Sequence, residues 1–206
     1  MTTAAVLLAA GGSRRLGEPK QLLQDTAQLP AVVRMVHVLR EGGCTPVIVV
    51  LGAAAAAVQR ALEEHGVAPL VTVVRNEQWS DGMGASIAAG VAALPACEAV
   101  LVAACDMPSV TGAHVRALLE TARHGRRVAS TYTGDDGRLV RGIPAVLPAH
   151  DWPSLLTLRG ETGARVLLAE GDTATVSLPD GHFDLDTPDD VARWRGLASP
   201  PSPPEH

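Results

Sequence analysis

With 206 residues, 47% of them hydrophobic, the chain has the length of a single α/β domain and the apolar content for a sizeable core. A formal net charge of −5 argues against the basic face that general nucleic-acid binding requires, so local cations are left to serve a small anion. Aromatic residues make up only 2%, which leaves Ala, Val and Leu to build the interior. Cys44, Cys97 and Cys105 are odd in number and lack C-x-x-C spacing, which indicates reduced thiols, not a disulfide framework or a zinc site. No basic segment precedes the first apolar run and no apolar stretch has the length of a membrane span. A cytoplasmic location without membrane attachment is expected.

In chain order, Ala5 to Ala10 reads as a fully buried strand of a parallel sheet. The loop from Gly11 to Lys20 then carries three glycines, Ser13, Arg14, Arg15, Pro19 and Lys20. Glycines let backbone N–H groups approach an anion, and Arg and Lys supply the charge. Gly12 and Gly17 have P-loop spacing, but Glu18 and Pro19 stand where that loop needs Lys and Ser or Thr. No register of Gly11, Gly12 and Gly17 supplies the dinucleotide fingerprint G-x-G-x-x-G. A different phosphate-receiving loop is expected, against the plainer alternative of a glycine-rich turn with exposed cations.

A helix from Pro30 to Gly43, a strand Val47 to Leu51, a helix from Ala53 to His65 and a strand Leu70 to Val74 follow, the order of a parallel sheet with right-handed crossovers. His37 in the first helix reads as packed or solvated. Ligands of open α/β sheets sit beyond the carboxyl ends of strands, so the loop Asn76 to Ser86 shares a crevice with the first loop. Gly82 and Gly84 allow close backbone approach there, and Ser86 offers a hydroxyl at the start of a helix Ile87 to Leu94. The alternative is a capped turn with Trp79 in the core.

The strand Ala99 to Ala104 ends in Cys105-Asp106-Met107-Pro108, which puts a carboxylate where Mg²⁺ would bridge protein and triphosphate. A helix Thr111 to His124 comes next, and Gly134 to Gly137 marks a hairpin within Val128 to Leu147. Helices over Asp151 to Leu158 and Glu161 to Glu170 precede a strand Thr173 to Leu178. Residues two apart on a strand share a face, so Asp184 and Asp186 point together, while Thr187, Pro188 and Asp190 make a helix start. The expected architecture is a single-domain, three-layer, Rossmann-like α/β fold with a mostly parallel sheet and a small antiparallel excursion near residues 128–148. It occupies residues 1–197, and the Pro- and Ser-rich tail 198–206 is expected to be disordered.

Leu8, Ala9, Ala10, Gly11, Ser13, Arg15, Gly17 and Lys20 fill every fixed position of L-A-A-G-x-S-x-R-x-G-x-x-K. On these residues the chain resembles the nucleotidyltransferases built on a dinucleotide-binding-like domain. The run Pro19-Lys20-Gln21-Leu22-Leu23 is most similar to the molybdenum cofactor cytidylyltransferase branch. The guanylyltransferase branch usually has Ala-Gly-Gly where this chain has Ala9-Ala10-Gly11.

The resemblance implies transfer of a nucleoside monophosphate from an NTP, with CTP favoured, to a phosphate of molybdopterin, releasing pyrophosphate. It implies Arg15 and Lys20 as catalytic cations, and nucleotide contacts from Ala9, Ala10, Gly11, Gly12, Ser13, Asn76, Gly82 and Ser86. Mg²⁺ would be held by Asp106 of the D-M-P triplet and Asp186 of D-x-D-T-P, with Asp184 as the fallback. The second substrate would enter near residues 128–148, and a molybdoenzyme or chaperone would be a transient partner. Ile143 departs from Gly-His-Pro, and Glu161 replaces aspartate in G-D-x-G-A-R, which leaves the acceptor open. The alternatives are GTP or another phosphorylated acceptor such as a sugar phosphate or phospholactate, or a non-catalytic nucleotide-binding partner in molybdoenzyme maturation. Hydride transfer ranks behind these because the dinucleotide fingerprint is missing.

Overall fold

The computed structural model describes residues 2–197 apart from 14, 135 and 170, so the expected disordered tail lies outside the described residues. In chain order the elements are β1 (Thr3–Ala9), α1 (Ala31–Glu41), β2 (Val47–Leu51), α2 (Ala55–Glu64), β3 (Val71–Arg75), α3 (Met83–Ala92) and β4 (Ala99–Ala104). There follow α4 (Gly112–Thr121), β5 (Val128–Thr133), β6 (Leu139–Pro148), α5 (Trp152–Leu156), α6 (Arg165–Ala169), β7 (Ala174–Ser177) and α7 (Pro188–Leu197).

Every residue of β1 and β2 is buried, because helices cover both faces of the central sheet. Alternation along β1 divides the core. Ala5, Leu7 and Ala9 pack with Val33, Val36 and Leu39 of α1 and Leu118 of α4. Val6 and Leu8 face the other way, onto Ile87 and Val91 of α3 and Leu168 of α6. A Cβ on Gly90 of α3 would lie 2.5 Å from Val6 Cγ1, so glycine there lets α3 sit close to the sheet.

The strands run in the order β3-β2-β1-β4-β6-β5-β7. Pairing is parallel through β3, β2, β1 and β4, and again between β5 and β7. β6 runs antiparallel between β4 and β5, with Val100 opposite Leu147 and Tyr132 opposite Val140. The expected antiparallel piece is therefore woven into the main sheet, not set off from it. Ala145, Val146 and Leu147 of β6 have no exposed surface, and an interior position covers both of their faces.

The chain leaves β1 for β2 on one side and reaches β4 on the other. The point where the order reverses opens a crevice at the carboxyl ends of β1 and β4. A third apolar cluster of Leu23, Ala31, Phe183, Leu185, Val191 and Trp194 anchors α7 behind the loop that follows β1.

Candidate active site

The loop after β1 is held in place by its own continuation. Ser13 has φ 47° and its Oγ accepts a hydrogen bond from the Lys20 backbone N at 2.9 Å. Gln21 is fully buried, and its Nε2 donates to the carbonyls of Ala9 at 3.1 Å and Gly11 at 2.8 Å. Nothing in the hydrophobic pattern singles out a buried Gln, so this clamp was missed in sequence. Gly12 lies under the Trp79 indole, which stands 3.2 Å from where its Cβ would be.

Lys20 Nζ donates to Asp106 Oδ2 and, at 3.3 Å, to Asp186 Oδ1. Burial alone would lower the Lys20 pKa, but the Asp106 carboxylate, its hydrogen bond and then Asp186 outweigh it and hold the ammonium above its ordinary range. Arg15, with its side chain 72% exposed, reaches Asp186 Oδ2. Asp106 sits where β4 meets its loop. Arg34 of α1 braces that loop by donating to the carbonyls of Pro108 at 2.7 Å and Val110 at 2.8 Å.

Asp186 is brought alongside by the backbone, since Leu185 N donates to Asp106 O at 3.0 Å. Asp190 Oδ2 accepts from Thr187 N at 2.8 Å while Asp190 N donates to Thr187 Oγ1 at 3.2 Å, a reciprocal cap that starts α7 at Pro188, two residues past Asp186. The helix-start reading and the site reading of this stretch therefore hold together. Residues 183–187 do not form a strand, because β7 ends at Ser177. Inward and outward alternation nevertheless persists, with Phe183 and Leu185 buried.

Asp184, the fallback, stands within electrostatic reach of Asp106, Lys20 and Asp186. It does not line the cavity, and its carboxyl is pushed up to about 7, by desolvation first and then by the Asp106 charge. A cation-sized position with oxygen atoms of Asp106 and Asp186 on it is thus present, with Lys20 Nζ occupying it. Two carboxylates completed by substrate phosphates suit Mg²⁺, so the residues present fit that ion.

The opposite wall comes from residues 79–86. Helix α3 begins at Met83, four residues before the expected start, because Gly82 at φ +102° turns the chain directly into it. Ser86 is therefore inside the first turn of α3 and not at its cap. Its Oγ accepts from Asn76 Nδ2 at 3.1 Å, so Asn76 stands behind Ser86. The glycines of this loop serve another loop. A Cβ on Gly82 would come within 2.4 Å of the Gly160 carbonyl carbon, and one on Gly84 within 2.8 Å of Arg159 backbone. Gly160 N donates to Asp81 O at 3.0 Å and Gly84 N to Gly160 O at 2.9 Å, which latches the two loops together.

A cavity of about 450 Å³ results. Ala10, Gly11, Gly12, Ser13, Arg15, Lys20, Gly82, Ser86, Asp106 and Asp186 all line it, as do Trp79 and Glu161, which were not singled out as site residues. Ala9 lies outside the lining, buried at the end of β1. Ile143 packs against both large apolar clusters, so its departure from the family pattern is taken up in the core. Burial and the nearby Asp184 charge raise the Tyr132 pKa, and Arg165 opposes them.

The model of the MobA-like NTP transferase domain matches residues 5–175. The chain belongs to that family. The activity the family is described by is NTP transfer, that is, nucleotidyl transfer. The chain is 39% identical over 171 residues to nicotine blue oxidoreductase of Paenarthrobacter nicotinovorans, covering 80% of each chain. Rv0371c from Mycobacterium tuberculosis H37Rv superposes with a TM-score of 0.80 at 27% identity, over 95% of this chain and 98% of that one. A structure of the same protein in complex with manganese superposes at 0.73, with 25% identity over 95% and 99%. A nucleotidyl transferase from a Methanothermobacter species gives 0.77 at 26% identity, over 95% and 97%. No helix among the described residues is long and apolar enough to cross a membrane.

Proposed function

We propose that this member of the family transfers the cytidylyl group of CTP to the phosphate of molybdopterin, with release of pyrophosphate. The observation that carries the reading is the Lys20 ammonium bridging Asp106 and Asp186 at the floor of a cavity walled by the Gly11–Ser13 loop. Loop N–H groups, Arg15 and Lys20 receive the triphosphate, and Lys20 exchanges a carboxylate for a phosphate oxygen as it does so. Asp106 and Asp186 would hold Mg²⁺, which when bound neutralises charge on the triphosphate and on the leaving pyrophosphate. The manganese complex of Rv0371c supports a divalent cation in this fold.

The attacking acceptor phosphate is already an anion, so the protein need not remove a proton. No histidine lines the cavity among the described residues. Catalysis then rests on alignment and on charge stabilisation by Arg15 and Lys20.

The test is pyrophosphate release from each NTP with Mg²⁺, with and without molybdopterin, beside Asp106→Ala and Lys20→Ala. Pterin-dependent release from CTP that both substitutions abolish is the expected result. Release only from GTP, or only with another phosphorylated acceptor, would keep the chemistry and replace the substrates.

A second reading is favoured by the similarity to nicotine blue oxidoreductase. In it the same cations hold the diphosphate of a reduced nicotinamide dinucleotide, and hydride goes to a bound acceptor. Oxidation of NADH or NADPH in the presence of an organic acceptor, with no pyrophosphate released from any NTP, would establish it.

A further inference from the structure

Glu161 takes no part in gathering phosphate. It lies on the cavity wall with Ser80, Gly82 and Met83, and among the described residues its carboxylate has no hydrogen bond or ion pair. Its backbone is nevertheless fixed. The latch between Gly160 and residues Asp81 and Gly84 sets its position, and a Cβ on Gly82 would stand only 2.8 Å from Glu161 N. An unpaired carboxylate in a cavity that receives a polyanion opposes binding, unless the ligand brings an N–H donor to meet it.

The same cavity holds a complementary group. Ser86 Oγ accepts from Asn76 Nδ2, and that amide is oriented by Gln78 N donating to its Oδ1 at 3.0 Å. One lone pair of Ser86 Oγ is thereby engaged, and its O–H is available to donate to a ligand. One acceptor and one donor lining the same cavity are the pair of groups that the edge of cytosine calls for, where an exocyclic amino group sits next to a ring nitrogen acceptor. Carboxylate to cytosine N4 is a known pairing of this kind.

Resting on the nucleotidyl-transfer reading, we propose that Glu161 determines base specificity, accepting a hydrogen bond from the N4 amino group of cytosine while Ser86 donates to the ring edge beside it. Uracil carries a carbonyl oxygen at that position, so its lone pairs face those of Glu161. CTP is thereby selected over UTP by repulsion as well as by attraction.

The experiment is calorimetric binding of CTP and UTP, each with Mg²⁺, to the wild-type chain, Glu161→Gln and Glu161→Ala. The wild type should bind CTP at least about tenfold more tightly than UTP. Glu161→Gln can turn its amide N–H toward the uracil oxygen. It should bind UTP more tightly than the wild type does and cut the preference by about tenfold. Glu161→Ala should lose the preference from both sides, weakening CTP relative to UTP as the N4 acceptor goes and relieving the repulsion of the uracil oxygen. Glu161 is exposed, so unchanged thermal unfolding of both variants is expected. A CTP-to-UTP ratio equal in wild type and Glu161→Gln would overturn this inference and leave nucleotidyl transfer standing. Failure of the wild type to bind any NTP would overturn both.

Discussion

Lys20 is the residue on which the two halves of the site meet. It binds Asp106 at the end of β4 and Asp186 before α7, and its own backbone N is tied to Ser13. Lys20→Ala should therefore lower kcat/KM for nucleotidyl transfer by about 10²–10³-fold, the scale set by removal of one preorganised charge-stabilising donor. The thermal unfolding temperature should fall as well, but by less than activity does, since the largely buried Asp106 carboxylate loses its counter-ion while the partly exposed Asp186 can be solvated. A fall in Tm with turnover preserved would show that the ammonium is only a structural counter-ion. The thiols make a second residue-scale case. Burial pushes the Cys44 thiol up to about 12 and raises that of Cys105 further, and both are almost wholly buried. A thiol reagent should label Cys97 in the native chain and reach the other two only after denaturation. Rapid native labelling of Cys105 would contradict the closed floor of the cavity.

At the scale of elements, the site depends on loops locked to one another more than on any one of them. Gly82 shows how tightly. At φ +102° an alanine is strained, and its Cβ would strike the Gly160 backbone, which cannot give way as a side-chain tip can. Gly82→Ala should cost about 3 kcal/mol in denaturant unfolding and weaken nucleotide binding by displacing Glu161 and Ser86 together. A neutral substitution there would mean that the latch is not rigid. Sequence revealed much of this region, because Arg15, Lys20 and Asp106 sit at positions where motif spacing and strand ends coincide. It did not reveal what the glycines were for, since a G-x-G pattern shows that something passes close by and not whether it is a ligand or another loop. The Gln21 clamp was also hidden, because burial of a single polar residue depends on tertiary contacts, and Glu161, visible only as a departure from the family pattern, gave no local sign that it lines the cavity. The hairpin at residues 134–137 was legible from its turn residues, whereas insertion of β6 between β4 and β5 is a matter of long-range pairing that local pattern does not carry.

For the whole molecule, the same buried polar connections that join layers also set how stability varies with pH. His114 of α4 lies against the sheet, with Nε2 2.8 Å from Ser130 Oγ, which in turn donates to the Pro144 carbonyl at 2.6 Å. Because Ser130 spends its proton on Pro144, the His114 ring must be the donor, and helix α4, β5 and β6 are joined through one neutral imidazole. Burial lowers the His114 pKa below its ordinary value. In the unfolded chain the ring takes a proton as pH falls through about 6.5, while in the folded chain it does not. The unfolded state then binds more protons, so this contribution is complete above that pH and is lost as pH falls toward the lower folded pKa. Asp184 works in the opposite sense. Its folded pKa near 7 favours the folded state at lower pH and ceases to do so as pH rises through that value. Net stability between about pH 7 and about pH 5 therefore mixes two opposed effects, and comparison of variants separates them. In urea unfolding, His114→Gln should lower the midpoint at about pH 7, where the interlayer link is lost, and lose less stability than the wild type on going to about pH 5. Asp184→Asn should do the reverse, with a steeper acid-side loss than the wild type. Identical pH slopes for His114→Gln and the wild type would mean that the imidazole is hydrated in the folded chain and that the three elements are held together without it.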